Sequence, residues 1–204
     1  EISECLVGSE MCIRDRVIDM ALGATVCKAF IDVSDIDRGY YESRSITIAQ
    51  HPSETPARMM VRLLAWLMFA GDKTEFGRGL STEGEPAVYE TNDAGDIARW
   101  IEVGCPDIKT LRKAAGKSED VVVLAYDEAR IEPWWQSRKG DMSKIDKLSV
   151  RWISDDDLEK LADMAGRNMK FAATVQDGVV WLADDSHNIE IEVKTLMRRG
   201  EPVF

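Results

Sequence analysis

From Leu22 to Val33 the residues alternate, with Ala24, Val26 and Lys28 set against Thr25, Cys27 and Ala29, and this period of two predicts a strand. Ser45 to Ala49 reads as its partner across the turn-forming stretch Asp35-Ile36-Asp37-Arg38-Gly39-Tyr40. A helix is predicted over 54–71, with Ser53 as N-cap, Glu54 as an acid in its first turn and Pro56 near its start. Its run Met59 to Ala70 is apolar on nearly every side and broken only by Arg62, the signature of a core helix. Residues 85–91 and 97–103 read as a second hairpin around Asn92-Asp93-Ala94-Gly95, and Pro106 opens a helix through Ala115 that Gly116 stops.

Val121-Val122-Val123-Leu124-Ala125-Tyr126 is β-branched and apolar without alternation, which predicts a central strand covered on both faces. A helical stretch around Trp134-Trp135 follows, then a strand over Leu148–Ile153 and a helix from Asp155 to Met164 capped by Ser154. Met169–Val175, Val179–Ala183 and Ile189–Val193 alternate between turns at Asp177-Gly178 and Asp185-Ser186, so an antiparallel meander closes the chain. The pattern as a whole predicts one mixed α/β domain with a β-rich C-terminal part.

Composition narrows the function classes. The 204 residues carry 26 Lys+Arg against 37 Asp+Glu, a formal net charge of −11, which argues against coating nucleic acid by bulk charge but leaves room for a local basic groove. With 45% hydrophobic and 31% charged residues the chain is neither disordered nor fibrous. Four Cys and two His, with no C-x-x-C pair, exclude a disulfide framework and a zinc module. The longest apolar run is too short to cross a bilayer and no secretory signal opens the chain, so a cytoplasmic protein without a membrane partner, and a monomer, is expected. Residues 1–19 show no sustained pattern, and CLVGSEMCIRDR resembles adapter read-through; they are set aside as a non-native extension, leaving 20–204 as the domain.

Candidate chemistry centres on the second hairpin. If its turn centres between Asp93 and Ala94, Glu85 faces Glu102 and Tyr89 faces Ala98 on one side of the ribbon. Like charges so placed call for a cation or a proton between them, which points to Mg²⁺ or Mn²⁺. The following helix offers Asp107, Lys109, Arg112 and Lys113, with Lys109 and Lys113 on one face. Two carboxylates with a nearby ammonium suit metal-dependent phosphodiester hydrolysis. A register off by one residue would instead send the acids to opposite faces, and the lysines would then be a solvated stripe. Arg58 and Arg62, one turn apart, either grip phosphate or pair with Glu54 or Glu85 inside the fold. Trp134-Trp135 reads as core or as a stacking platform, and Gly77, Gly79 and Gly84 match no nucleotide-binding fingerprint.

HPSETPARMMVRLLA (His51 to Ala65), GLSTEGEPAVY (Gly79 to Tyr89), WIEVGCPDIKTLRKA (Trp100 to Ala114) and VVVLAY (Val121 to Tyr126) resemble the YaeQ family, as do MALGATVCKAF from Met20 and TVQDGVVWL from Thr174. The resemblance covers 20–204 and implies a compact restriction-endonuclease-like, PD-(D/E)XK α/β fold: a mixed sheet flanked by helices 54–71 and 106–115. It places Glu85 and Glu102 as the two acids, with Asp107 as a further ligand or supporting acid. Gly104 stands where the superfamily carries lysine, so the ammonium would come from the next helix. Proximity along that helix favours Lys109, with Lys113 on the substrate backbone. Two readings stand: a Mg²⁺-dependent nuclease-like phosphodiesterase, or a catalytically silent module that binds nucleic acid or a protein partner.

Overall fold

The computed structural model describes residues 23–78 and 84–203. The extension assigned to residues 1–19, the strand start at Leu22 and Gly79 lie outside the described residues. Strands β1 (Thr25–Asp35) and β2 (Tyr40–Gln50) form the first hairpin and lead into α1 (Pro56–Leu67). β3 (Thr74–Phe76), β4 (Val88–Thr91) and β5 (Ile97–Val103) follow, then α2 (Ile108–Lys117), β6 (Ser118–Ala125), α3 (Glu128–Met142), β7 (Leu148–Trp152) and α4 (Asp155–Asp163). The chain continues through β8 (Asn168–Gln176), β9 (Val179–Ala183), β10 (Asn188–Glu192), β11 (Lys194–Arg198) and β12 (Glu201–Pro202). No described helix is long and apolar enough to cross a membrane.

These elements make a mixed α/β fold with two mixed sheets rather than one. The first runs β10-β9-β8-β1-β2 and the second β12-β11-β7-β6-β5-β4-β3. The C-terminal meander forms as expected but leaves the central sheet, because β8 pairs in parallel with β1. β6 is central in the second sheet, parallel to β5 on one side and β7 on the other. Its Val121 to Leu124 are all buried, with alternate residues in two different cores, as an unalternating β-branched run requires.

One core lies between the sheets and takes the inward residues of both together with α1 and α4. The other lies on the far side of the second sheet, under α2 and α3, and holds Trp134 and Trp135. The tryptophan pair is therefore core. A helix enclosed between two sheets has no solvent face, which is why α1 is apolar all round. Its N-cap is Thr55 and not Ser53: the Thr55 hydroxyl accepts from the Arg58 N–H at 3.2 Å. Ser53 instead lies within hydrogen-bond distance of the His51 ring at 2.7 Å, in the turn before the helix. α2 starts at Ile108 behind an Asp107 cap and runs through Gly116 to Lys117, so Gly116 is interior and does not stop it.

Arg62 is fully buried inside α1, and its Nη1 donates to Glu54 Oε2 at 2.9 Å and to the Ala49 carbonyl of β2 at 3.1 Å. Its Nη2 donates to the Gly77 carbonyl, just past β3, at 3.1 Å. One guanidinium thus joins the edges of both sheets. R62M, which keeps much of the volume but leaves Glu54 with Arg58 alone and strands two carbonyls, is expected to cost about 3 kcal/mol. Urea unfolding checks this, read as a lower midpoint at unchanged slope.

Candidate functional site

The second hairpin forms with a different register. Tyr89 pairs with Trp100 and Val88 with Ile101, two residues away from the expected pairing, and a bulge falls between Glu90 and Thr91. Asn92 closes the connection, its Oδ1 accepting from the Ala94 and Asp96 N–H groups, each at 3.0 Å. The bulge and this side-chain-closed loop are what a symmetric turn centred on Asp93-Ala94 leaves out. Glu85 therefore does not face Glu102 across the ladder: β4 begins only at Val88. A shift of two residues keeps each strand residue on its own face, so Glu102 stays beside Trp100.

Glu102 is half-buried, and its Oε1 accepts from the Trp100 indole N–H at 2.8 Å. No ion pair to it forms among the described residues. Burial pushes its carboxyl above the ordinary range, while the Trp100 hydrogen bond and then the Arg58 charge oppose that rise. Glu85 sits before β4 in a cavity of about 250 Å³ shared with Phe76, Arg78 and Tyr89, and lies 4.0 Å from Arg78 Nε. The Gly77 backbone fixes this approach: a Cβ there would fall 1.9 Å from the Pro86 carbonyl oxygen.

The two lysines separate. Lys109 is exposed in the first turn of α2. Lys113, also exposed, brings its ammonium to Gly84, where an added Cβ would meet Nζ at 1.9 Å. Lys113, not Lys109, is thus the lysine next to the Glu85 segment. Because α2 starts two residues later than expected and crosses back over the sheet, its second turn reaches the acids' end of the hairpin.

Asp107 is exposed and committed to its helix, accepting from the Thr110 N–H at 2.7 Å, a bond that lowers its pKa. Arg58 is bound to Glu54 at 3.2 Å, keeps some exposed surface, and projects its charge onto both Glu102 and Tyr126. Arg62 has no exposed surface and is an interior tie.

Sequence reasoning passed over Cys105, Tyr126 and Arg130. Cys105 and Tyr126 follow the carboxyl ends of the parallel strands β5 and β6, where open α/β sheets bind ligands. Tyr126 packs on Gly104 with room for a Cβ at 3.6 Å from its ring, but the Gly104 φ of +92° would strain a lysine at that position. Arg130 acts electrostatically on both Cys105 and Tyr126. The signal that marks Cys105 and Tyr126 is their place after the carboxyl ends of adjacent parallel strands.

Among the described residues no three His, Cys, Asp or Glu side chains come together to hold a metal ion. That does not fit a closed zinc or calcium cage. It does fit Mg²⁺, which is ordinarily held by one or two carboxylates completed by water and substrate phosphate.

A folded-state pKa above the ordinary value means the native protein binds its proton more readily than the unfolded chain. Stability is then fullest below the ordinary Glu range and falls as pH rises through the raised folded value. E102Q cannot ionise and keeps an acceptor for the Trp100 indole. It is expected to gain stability over the wild type as pH rises through that interval, with no such gain below it. Urea unfolding of both proteins from acid to mildly alkaline pH measures the difference.

The family model described as "YaeQ protein" matches residues 20–193. An uncharacterized protein YaeQ from Salmonella typhi is 42% identical over 174 residues, spanning 85% of this chain and 96% of that protein. Its counterpart from Escherichia coli (strain K12) is 41% identical over the same spans. The crystal structure of YaeQ protein from Xanthomonas axonopodis pv. citri superposes with a TM-score of 0.81 at 40% identity, covering 84% of this chain and 97% of that one. The YaeQ protein from Pseudomonas syringae gives 0.82 at 34% identity, covering 87% and 98%.

Proposed function

The chain belongs to the YaeQ family, and from that premise we propose that it is a Mg²⁺-dependent, nuclease-like phosphodiesterase built on a PD-(D/E)XK-type arrangement. One observation carries the reading. Burial pushes the Glu102 carboxyl above its ordinary range, and among the described residues it is left without an ion pair. Every other acid that the fold buries has its cation: Asp35 has Arg38, Glu54 has Arg62, and Asp157 has Lys160. A desolvated, unpaired carboxylate beside a ligand-accessible strand end is the mark of a functional acid.

In this reading Glu85 and Glu102 would hold the ion, and Mg²⁺ bound there would supply an activated water for attack on the phosphodiester. Trp100 fixes Glu102 Oε1 and so aims Oε2. Lys113 sets its ammonium where charge gathers on the phosphorane oxygens. Arg58, held by Glu54, orients a neighbouring phosphate. The polymer enters past Gly84 and the carboxyl ends of β5 and β6.

The rival reading, a silent nuclease-like module that binds nucleic acid or a protein, draws on the missing cross-strand pairing of Glu85 with Glu102. A cleavage assay on DNA and RNA with Mg²⁺ or Mn²⁺ separates the two. E102Q and K113M are expected to lose about 10²-fold or more in rate, and the contrast with K109M assigns the ammonium. No metal-dependent cleavage by contaminant-free wild type, with nucleic acid still bound, would select the silent module.

A further inference from the structure

At the other end of α1 a cleft of about 370 Å³ opens between the two sheets, lined by Phe69, Arg151, Asp177, Val193 and Arg198 among others. We propose that this cleft binds a small phosphomonoester, its phosphoryl group held between the Arg151 and Arg198 guanidinium groups and its carbon skeleton lying on Met68, Val180 and Val193.

The first support is that two of the three guanidinium groups lining the cleft have no ion pair among the described residues, although its three aspartates balance its three arginines formally. Asp35 in the cleft wall is taken by Arg38, which donates from Nε at 2.7 Å. Asp37 accepts from the Asp177 N–H at 2.9 Å. Arg99, just behind the cleft, is neutralised by Glu90 at 2.5 Å and Asp120 at 3.0 Å. Arg151 and Arg198 form no ion pair with any described carboxylate. Arg151 is half-buried, and its charge is disfavoured by desolvation and by the neighbouring Arg198 and Arg99, with Asp120 offsetting part of this. Two like charges converging in a partly dry cleft cost stability unless an anion joins them.

The second support is the backbone that brings them there. In the β11–β7 pairing Thr195 faces Arg151 while Met197 faces Val150, so a bulge falls between Thr195 and Met197. Leu196 and Met197 consequently both pack into the core under α3, and Thr195 and Arg198 both line the cleft. With regular alternation Arg198 would point to the α3 side, away from Arg151. A bulge that re-aims one side chain is a feature found beside binding sites. Phe69 completes the device: Arg151 lies 5.4 Å from its ring centroid, a cation–π contact that holds the guanidinium in place before any ligand arrives.

The ligand class follows from the donors. A phosphomonoester carries nearly two negative charges and three terminal oxygens, enough to satisfy two planar forks, whereas a carboxylate satisfies one. The carboxylates of Asp37 and Asp177 on the same wall, and a chain charge of −11, repel a polyanion. The site therefore takes one phosphoryl group on a small molecule, and the volume lies in the range of small-ligand pockets. The cleft shares none of Glu85, Glu102 and Lys113, so the inference stands apart from the phosphodiesterase reading.

Calorimetry on the full chain at constant ionic strength tests it, with phenyl phosphate, inorganic phosphate and benzoate as probes. Phenyl phosphate is expected to bind saturably and more tightly than inorganic phosphate, and to shift the Asp177 and Gly178 amide resonances. R198Q, on an exposed side chain, and R151M are each expected to weaken it tenfold or more, while E102Q leaves it unchanged. Arg151 is half-buried against Phe69 and contributes to packing, so R198Q, at an exposed position, decides. Absence of saturable binding, affinity unaltered by R198Q, or benzoate binding as tightly as phenyl phosphate would each overturn the proposal.

Discussion

The buried ion pair between Arg62 and Glu54 is the contact on which the two-sheet architecture depends. A bare guanidinium between two sheets is untenable, because its desolvation costs more than packing returns. Here it is met by one carboxylate and by two carbonyls, one from β2 in the first sheet and one from just past β3 in the second. Arg58 takes the other Glu54 oxygen, so the same acid that satisfies the interior also fixes a surface cation. The Arg62 Nε is left without a partner. The tie therefore does more for geometry than for energy: it sets where α1 begins, where the Gly77 loop passes, and where Arg58 meets the strand ends.

How far the sequence discloses this depends on the range of each interaction. Val121–Leu124 and the Ser154 cap are read correctly because burial on two faces and a capping hydroxyl are written into a few consecutive residues. The division into two sheets is not, because it rests on the parallel pairing of β1 with β8, segments separated by most of the chain, with no local signature in either. The Thr55 cap is missed although a local signal marks it: Pro56 takes the first helical position, which puts the cap at the residue before it. β3, β11 and β12 are short strands whose pairing supplies what their sequences do not announce.

The candidate site was legible in its residue types and not in its geometry. Arg58 acts on Glu102 and Lys113 lies against Gly84, but the hairpin register expected to pair Glu85 with Glu102 is altered by a bulge that no residue pattern marks. Glycines carry more of the answer. Gly84 admits the Lys113 ammonium, Gly77 admits the Pro86 carbonyl, and Gly104 turns with positive φ beneath Tyr126. A lysine at Gly104 would be strained there by its positive φ, which is a local reason for glycine at this position.

The two ends of α1 carry opposite charge problems, and the helix itself explains only part of each. Its N-terminus, with partial positive charge, lies near Glu54 and Arg58, and Arg58 in turn acts on Glu102; its C-terminus, with partial negative charge, lies near Arg99 and Arg151, both over Phe69. A macrodipole amounts to about half a charge at each end. At the first end that half charge is joined by two guanidiniums, which satisfy Glu54 but leave Glu102 unpaired. At the second, Glu90 and Asp120 satisfy Arg99, and half a charge cannot satisfy both Arg151 and Arg198. What remains is an acid without a cation at one end and cations without an acid at the other. A fold that pairs its other buried acids within the chain leaves Glu102, Arg151 and Arg198 without an ion pair among the described residues, and that imbalance is what the two proposals rest on.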